Sequence, residues 1–408
     1  MNKPKLWTKN FISVSLSSFF LFLTFYDLLV TLPIYALQDL HGDESNAGLI
    51  VTVFIIAAII IRPLAGKWME SVGMRFILIS SLLIFFAAST FYFTSHSMIS
   101  LLILRFFHGI GFGMATTATG AIVADIIPDA RRGEGMGYYA LSMNLAMVIG
   151  PFLGLTAMQQ WGMNVLFTIS AICALCAFIA GLSIKLLKKE QTEIPVTPAR
   201  KTGIGFKGLF EVSAIRISMV GALFALVYSS ILSFVSVYAK ELGLAEAASY
   251  FFVVYALVLV LSRPFTGKWF DLYGANAIVY PAIFCFAVGM VLLGTAETAL
   301  VFLLSASLIG LGWGTLFPIF QTIAIQEAPP ARRGLATATF LSIFDLGIGI
   351  GSFIVGLAGT KVGFSSLYFY SSFLVLIGIG VYYLLHGRIS LPSMNKKQNH
   401  GHNMSSQA

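Results

Sequence analysis

The sequence predicts an all-α membrane protein with twelve transmembrane helices in two pseudo-symmetric halves of six. Three observations carry that expectation. Of the 408 residues, 58% are apolar and 10% charged, with mean hydropathy +0.88, whereas soluble domains run at about 45–50% and 25%. Twelve apolar stretches occupy roughly 11–36, 47–66, 76–94, 99–124, 135–157, 164–185, 214–239, 247–267, 277–295, 299–323, 335–358 and 365–386, each long enough for a hydrocarbon core of about 30 Å. Finally, one phrase occurs twice. Arg62-Pro63-Leu64-Ala65-Gly66-Lys67-Trp68-Met69-Glu70 returns 201 positions later as Arg263-Pro264-Phe265-Thr266-Gly267-Lys268-Trp269-Phe270-Asp271.

The offset then holds: Gly73 maps to Gly274, Gly109 to Gly310, Gly113 to Gly314, and Arg131-Arg132-Gly133 to Arg332-Arg333-Gly334. A duplicated, membrane-embedded half is the build expected of a secondary transporter, whose halves rock about a central site. The expected divisions are a first half at 1–185, a cytoplasmic linker at 186–213, a second half at 214–386 and a disordered cytoplasmic tail at 387–408. The linker is marked by Lys188-Lys189-Glu190, Pro195, Pro198 and Arg200-Lys201.

Taken in order, the helices carry few polar residues, and those few are informative. The first places Asp27 in mid-helix with no base three or four residues away. Ser17, Thr24, Asp27 and Thr31 share its face. Burial favours the neutral carboxyl over the charged one, which is what reversible protonation requires; the alternative is a permanently neutral acid bonded to a neighbour. The fourth carries Arg105, and an intramembrane arginine costs at least about 2.5–3.5 kcal/mol and normally faces a cavity or a partner. Arg105, His108, Gly109, Phe112, Thr116 and Thr119 form one stripe. The fifth contains Gly137, Gly150, Pro151 and Gly154, a kinked helix able to pack closely. Asn144 there and Gln321 on the tenth are cavity candidates. The eleventh carries Asp345, read as a second titratable site or as a partner for Arg105.

The net charge of +8 reports topology. With the N-terminus inside, every Lys and Arg but Arg105, Lys240 and Lys361 falls on the cytoplasmic side, as the positive-inside rule requires. A multi-pass cell-membrane protein with both termini cytoplasmic follows, and nucleic-acid binding is excluded. Cys173, Cys176 and Cys285 lie within apolar helices and read as packing residues, so no metal or cofactor is expected. No hydrolase or phosphate-cradling motif is present, and an enzyme is not expected.

Gly66-Lys67-Trp68-Met69-Glu70-Ser71-Val72-Gly73-Met74-Arg75 resembles the signature between helices 2 and 3 of the major facilitator superfamily. Glu70 stands for the usual Asp and Ser71 for the usual base, while in the second half Asp271 keeps the acid and no Arg follows Gly274. Arg105-Phe106-Phe107-His108-Gly109 resembles the family's helix 4 signature, with His108 in the glutamine position. Gly137 and Gly150-Pro151-Phe152-Leu153-Gly154 are similar to the antiporter signature, incompletely, and point to the twelve-helix drug:proton branch.

The resemblance implies the major facilitator fold and a cytoplasmic latch that closes in the outward-open state. In that latch Glu70 faces helix 11, and Arg75 pairs with Asp125 at the end of helix 4. It also implies proton transfer at Arg105. The expected function is proton-coupled export of small hydrophobic or cationic compounds by alternating access, with Asp27 binding the proton and a cationic substrate, and a monomer as the family default. Transport of a sugar or other metabolite, or of lipid, on the same fold remains open.

Overall fold

The structure, a computed structural model, describes residues 4–40, 44–185 and 206–388. Most of the expected linker (186–205) and of the expected tail (389–408) lies outside the described residues. The described residues contain helices and no strand. Twelve are long and apolar enough to cross a membrane: α1 Lys9–Gln38, α2 Glu44–Val72, α3 Met74–Phe91, α4 Met98–Ile126, α5 Arg132–Trp161, α6 Met163–Leu182, α7 Val212–Glu241, α8 Ala245–Tyr273, α9 Ala275–Gly294, α10 Ala299–Gln326, α11 Arg333–Val362 and α12 Phe364–Tyr382. A single helical turn, Phe206–Leu209, precedes α7. With an even number of spans, the start of α1 and the end of α12 lie at one end of the bundle, called basal here; the other end is distal.

Helix is the natural choice for these segments, because in lipid every backbone polar group must be satisfied within the chain. Caps mark the starts. Thr8 Oγ1 accepts from Phe11 N at the head of α1, and Thr298 Oγ1 accepts from Val301 N at the head of α10. Ser97 and Ser100 exchange bonds at the head of α4. The sharp α2–α3 and α5–α6 corners turn on Gly73 (φ +91) and Gly162 (φ +84). Their counterparts 201 positions on, Gly274 and Gly363, both have φ +82 and turn α8–α9 and α11–α12. The duplication is therefore written into backbone conformation as well as into side chains.

Two kinds of close contact organise the bundle. Within each half a glycine-bearing helix is pressed onto its neighbours: a Cβ on Gly113 of α4 would sit 2.7 Å from Ala58 O, and one on Gly310 of α10 would sit 2.7 Å from Tyr255 O. Between halves there are two seams related by the repeat. A Cβ on Gly66 of α2 would lie 2.8 Å from Ala338 Cβ on α11, and one on Gly267 of α8 would lie 2.6 Å from Glu134 Cα on α5. Both seams lie toward the basal end. Their closeness leaves open space only farther up.

Candidate functional site

A cavity of about 1570 Å³ lies between the halves, walled by α1, α2, α4, α5, α7, α8, α10 and α11. It runs from a floor at Arg62, Thr116 and Gln321 to Lys240 at the distal end of α7. Rings dominate the walls. Phe112 packs on Phe25 (centroids 4.9 Å apart) and Phe54 (5.2 Å) in one half. Trp313, its repeat counterpart, packs on Tyr228 (4.7 Å) and Phe344 (5.8 Å) in the other. Among the lining residues Arg62, Lys240 and Asp345 carry charge.

Arg62 and Asp345 form an ion pair across the α2–α11 seam. Arg62 is 3% exposed; its Nη1 also donates to Leu341 O at 3.3 Å, and its Nη2 to Thr116 Oγ1 at 3.4 Å. The sequence reading placed Arg62 among the charges of the cytoplasmic face and left Asp345 to titrate alone or to meet Arg105. Geometry gives a different answer. Arg62 lies three turns inside the helix end, just before the Pro63 kink, and reaches the cavity floor. An arginine more than two turns from its helix end, facing an intramembrane acid from the other half, is the signal that could have found it.

Asp27 is fully buried but does not line the cavity. Its Oδ2 accepts from Ser170 on α6 at 3.1 Å, and its Oδ1 has no partner among the described residues. Gly150 and Gly154 of α5 press on its backbone: a Cβ on Gly154 would stand 3.0 Å from Asp27 Cα. The acid is thus sealed between α1, α5 and α6, and Tyr26 rather than Asp27 faces the cavity. Thr24 and Thr31, expected in the wall, are also turned away and donate to Phe20 O and Asp27 O in their own helix.

Arg105 is likewise interior to the first half. Its Nε donates to Ile50 O (3.2 Å), its Nη1 to Tyr92 Oη (3.4 Å), and its guanidinium lies 4.1 Å over the Phe54 ring. No hydrogen bond joins it to Asp27, although the two charges lie within electrostatic reach. His108 is clasped between Tyr92 Oη (2.9 Å) and Ser89 Oγ (3.3 Å), with the Phe85 ring 4.2 Å away. Like Asp27 and Arg105, it does not line the cavity. Phe112, Asn144, Pro151 and Gln321 do. Asn144 Nδ2 donates to Ala140 O at 2.8 Å, and Gln321 Oε1 is buried without a partner among the described residues.

The basal end is closed by charges at both seams. Asp271 accepts from Gly133 N (2.7 Å) and Glu134 N (3.1 Å), seating a carboxylate on the N-terminus of α5. Its repeat counterpart Glu70 is one methylene longer. It approaches Arg332, the residue before α11, at 3.5 Å; Arg332 also pairs with Glu211 at 2.9 Å. Asp125 pairs with Arg333 at 3.3 Å, where Arg75 was expected; Arg75 is exposed at the start of α3, without an ion pair among the described residues. Asp125 therefore ties α4 to α11 of the other half rather than to α3 of its own. Gly66 and Gly267 lie in the seams, and Gly73 and Gly274 form the corners beyond them.

The family model described as Major Facilitator Superfamily matches residues 14–352. The chain belongs to the Major Facilitator Superfamily. Relatives in this superfamily include the uncharacterized MFS-type transporter MJ1560 of Methanocaldococcus jannaschii, 25% identical over 85% of this chain and 91% of the relative. The staphylopine export protein of Staphylococcus aureus is 24% identical over 83% and 87%. The structure of the human organic anion transporter MFSD10 matches with TM-score 0.74 at 18% identity, over 93% of this chain and all of that one; that likeness is one of fold. Superfamily membership makes the chain a multi-pass membrane transporter handling a small-molecule substrate in a lipid bilayer, with no catalytic activity indicated.

Proposed function

We propose that the chain is a proton-coupled exporter of small hydrophobic compounds that works by alternating access, with both termini cytoplasmic and the cavity facing outward. The observation that carries this reading is the buried Asp27 carboxyl, half-satisfied and wedged against the α5 glycines. An ionised carboxylate lacking partners is costly away from water, and a proton removes that cost. Tyr26 and Pro151 belong to the same α1–α5 contact and line the cavity, so proton occupancy would act on the substrate site through the packing of these helices. This is a different route from a cation bound directly to Asp27, which the cavity wall does not present.

The aromatic walls suit an apolar cargo, and the staphylopine export protein supports the outward direction. The Lys and Arg asymmetry supports the orientation. The alternating halves would use the two basal seams as the gate that opens when the cavity faces inward.

The test is a toxic-compound susceptibility panel in cells carrying the wild-type protein or Asp27→Asn at equal membrane expression, with and without a protonophore. Protection that the protonophore abolishes, and that Asp27→Asn lacks, is expected. Gradient-driven protection that survives in Asp27→Asn would overturn the assignment.

A further inference from the structure

The two inter-half seams are related by the repeat, yet their charges are not. In the α2–α11 seam Arg62 meets Asp345 and also bonds Thr116. At the repeat-related positions 201 residues away, Arg62 becomes Arg263, Asp345 becomes Asn144 and Thr116 becomes Phe317. The α5–α8 seam thus keeps the cation and loses both groups that would satisfy it. The register is secure there, because α5 and α11 start and end at equivalent residues and both run into a positive-φ glycine.

Arg263 is 3% exposed. Its Nη2 donates to Gly314 O at 2.5 Å; among the described residues its Nε has no partner and no ion pair reaches it. Its side chain lies along α5 above Gly137, where a Cβ would come within 3.4 Å of its Cδ. Asn144 is seven residues, two turns, farther along the same face of α5. Its amide donates to Ala140 O. The corresponding carbonyl in the other seam, Leu341 O, accepts from Arg62. Gly314 and Asn144 both belong to the cavity wall, as does Tyr255. The Tyr255 hydroxyl is buried beside that of Tyr228 and lies within electrostatic reach of Arg263.

A buried guanidinium without a counter-ion is costly, and such a group normally finds one. The charge balance around the cavity points the same way. The wall holds Arg62, Lys240 and Asp345, and Asp345 is already neutralised by Arg62. Asp27, the other nearby intramembrane acid, is sealed in the first half beside Arg105. The wall therefore carries one cation in excess, Lys240 at the distal end, and Arg263 adds a second unpaired positive charge behind the wall, where it bonds Gly314 O.

We propose that the substrate is an organic anion, an aromatic or aliphatic body bearing a carboxylate. Its negative group takes the place that Asp345 occupies in the sister seam, near Asn144 and Tyr255 and facing Arg263. The inference rests on the reading of this cavity as the substrate site, and it gives that substrate a charge opposite to the cation expected from sequence.

The test uses purified protein in nanodiscs and two matched probe series. These are indole-3-acetate, indole-3-acetamide and tryptamine, and the corresponding naphthalene acetate, acetamide and ethylamine. Binding is followed by thermal shift and calorimetry without any pH gradient. The carboxylates are expected to bind tightest and the amines weakest.

Asn144→Asp, which supplies the missing counter-ion, is expected to raise the melting temperature of the unliganded protein. It should also weaken carboxylate binding at least about tenfold, about 1.4 kcal/mol. Asn144→Ala should keep the carboxylate preference. Absence of binding in both series, equal binding across a series, preference for the amines, or wild-type carboxylate affinity in Asn144→Asp would each overturn the proposal. Asp27→Asn should lose coupling and keep the charge preference, so the coupling assignment and the substrate class fail separately.

Discussion

Asp271→Asn tests whether the basal closure is one cooperative latch. The carboxylate accepts two backbone N–H groups, at 2.7 and 3.1 Å, from the first turn of α5. An asparagine offers one acceptor and turns an NH2 toward the second donor. A hydrogen bond to a charged group contributes about 1.5–3 kcal/mol, and the half-buried setting of Asp271 argues for the lower part of that range. A loss of about 2 kcal/mol corresponds to about a 30-fold rise in the population of the opened basal end.

Hydrogen–deuterium exchange in nanodiscs reads that population through amide protection. Peptides over residues 127–137 contain the donors themselves. Peptides over 330–336 contain Arg332 and Arg333, which lock the other seam through Glu70, Glu211 and Asp125. If the halves move as bodies, both segments exchange faster by a similar factor. Faster exchange confined to 127–137 would mean local fraying of α5, and unchanged exchange in both would mean that Asp271 bears no closing force. Either result refutes the latch.

Other perturbations have equally direct readouts. Asp345→Asn strands Arg62 on the cavity floor and should cost about 3–5 kcal/mol of stability. The double change Arg62→Met with Asp345→Leu should recover much of it, and a thermal double-mutant cycle measures the coupling. Gly154→Ala drives a methyl to 3.0 Å from Asp27 Cα and 2.9 Å from its carbonyl. Backbone cannot yield there as a side chain could, so a loss of about 1–3 kcal/mol is expected in melting experiments. Phe112→Ala, in the cavity wall, should weaken binding of aromatic probes by about 0.5–1.5 kcal/mol. His108→Gln, outside the wall, should leave that binding unchanged in the same calorimetric assay.

The architecture was legible because hydropathy and a drift-free repeat speak about whole helices. Twelve spans, the paired glycines at 73 and 274, and the kinship of the halves need no side-chain direction. The candidate site was harder. Asp27, Thr24 and Thr31 do share a polar stripe, but period 3.6 says only that they share a face, and α1 has two buried faces. One packs on α5 and α6, the other borders the cavity. Sequence could not tell these apart, and Tyr26, one residue away, holds the cavity position.

Arg105 and His108 met the same ambiguity on α4. Arg62 was hidden by its neighbours: the Gly66–Glu70 phrase belongs to the basal turn, and the arginine that opens it was read with that turn although it sits deeper. Arg75 and Asp125 show a further limit. Both are near the correct end, but which cation an acid meets depends on how the halves approach, and Arg333 arrives from across the seam.

The seams also carry a consequence for handling the protein. Gly66 and Gly267 bring main chain against the opposite half with no side chain between. At Gly267 the obstacle to an added methyl is Glu134 Cα at 2.6 Å, an atom that cannot swing aside. One alanine there would act as a doorstop, propping the gate ajar without removing any of the charged side chains around it. A pair of such variants, one per seam, would give separate handles on the two doors of the same hinge.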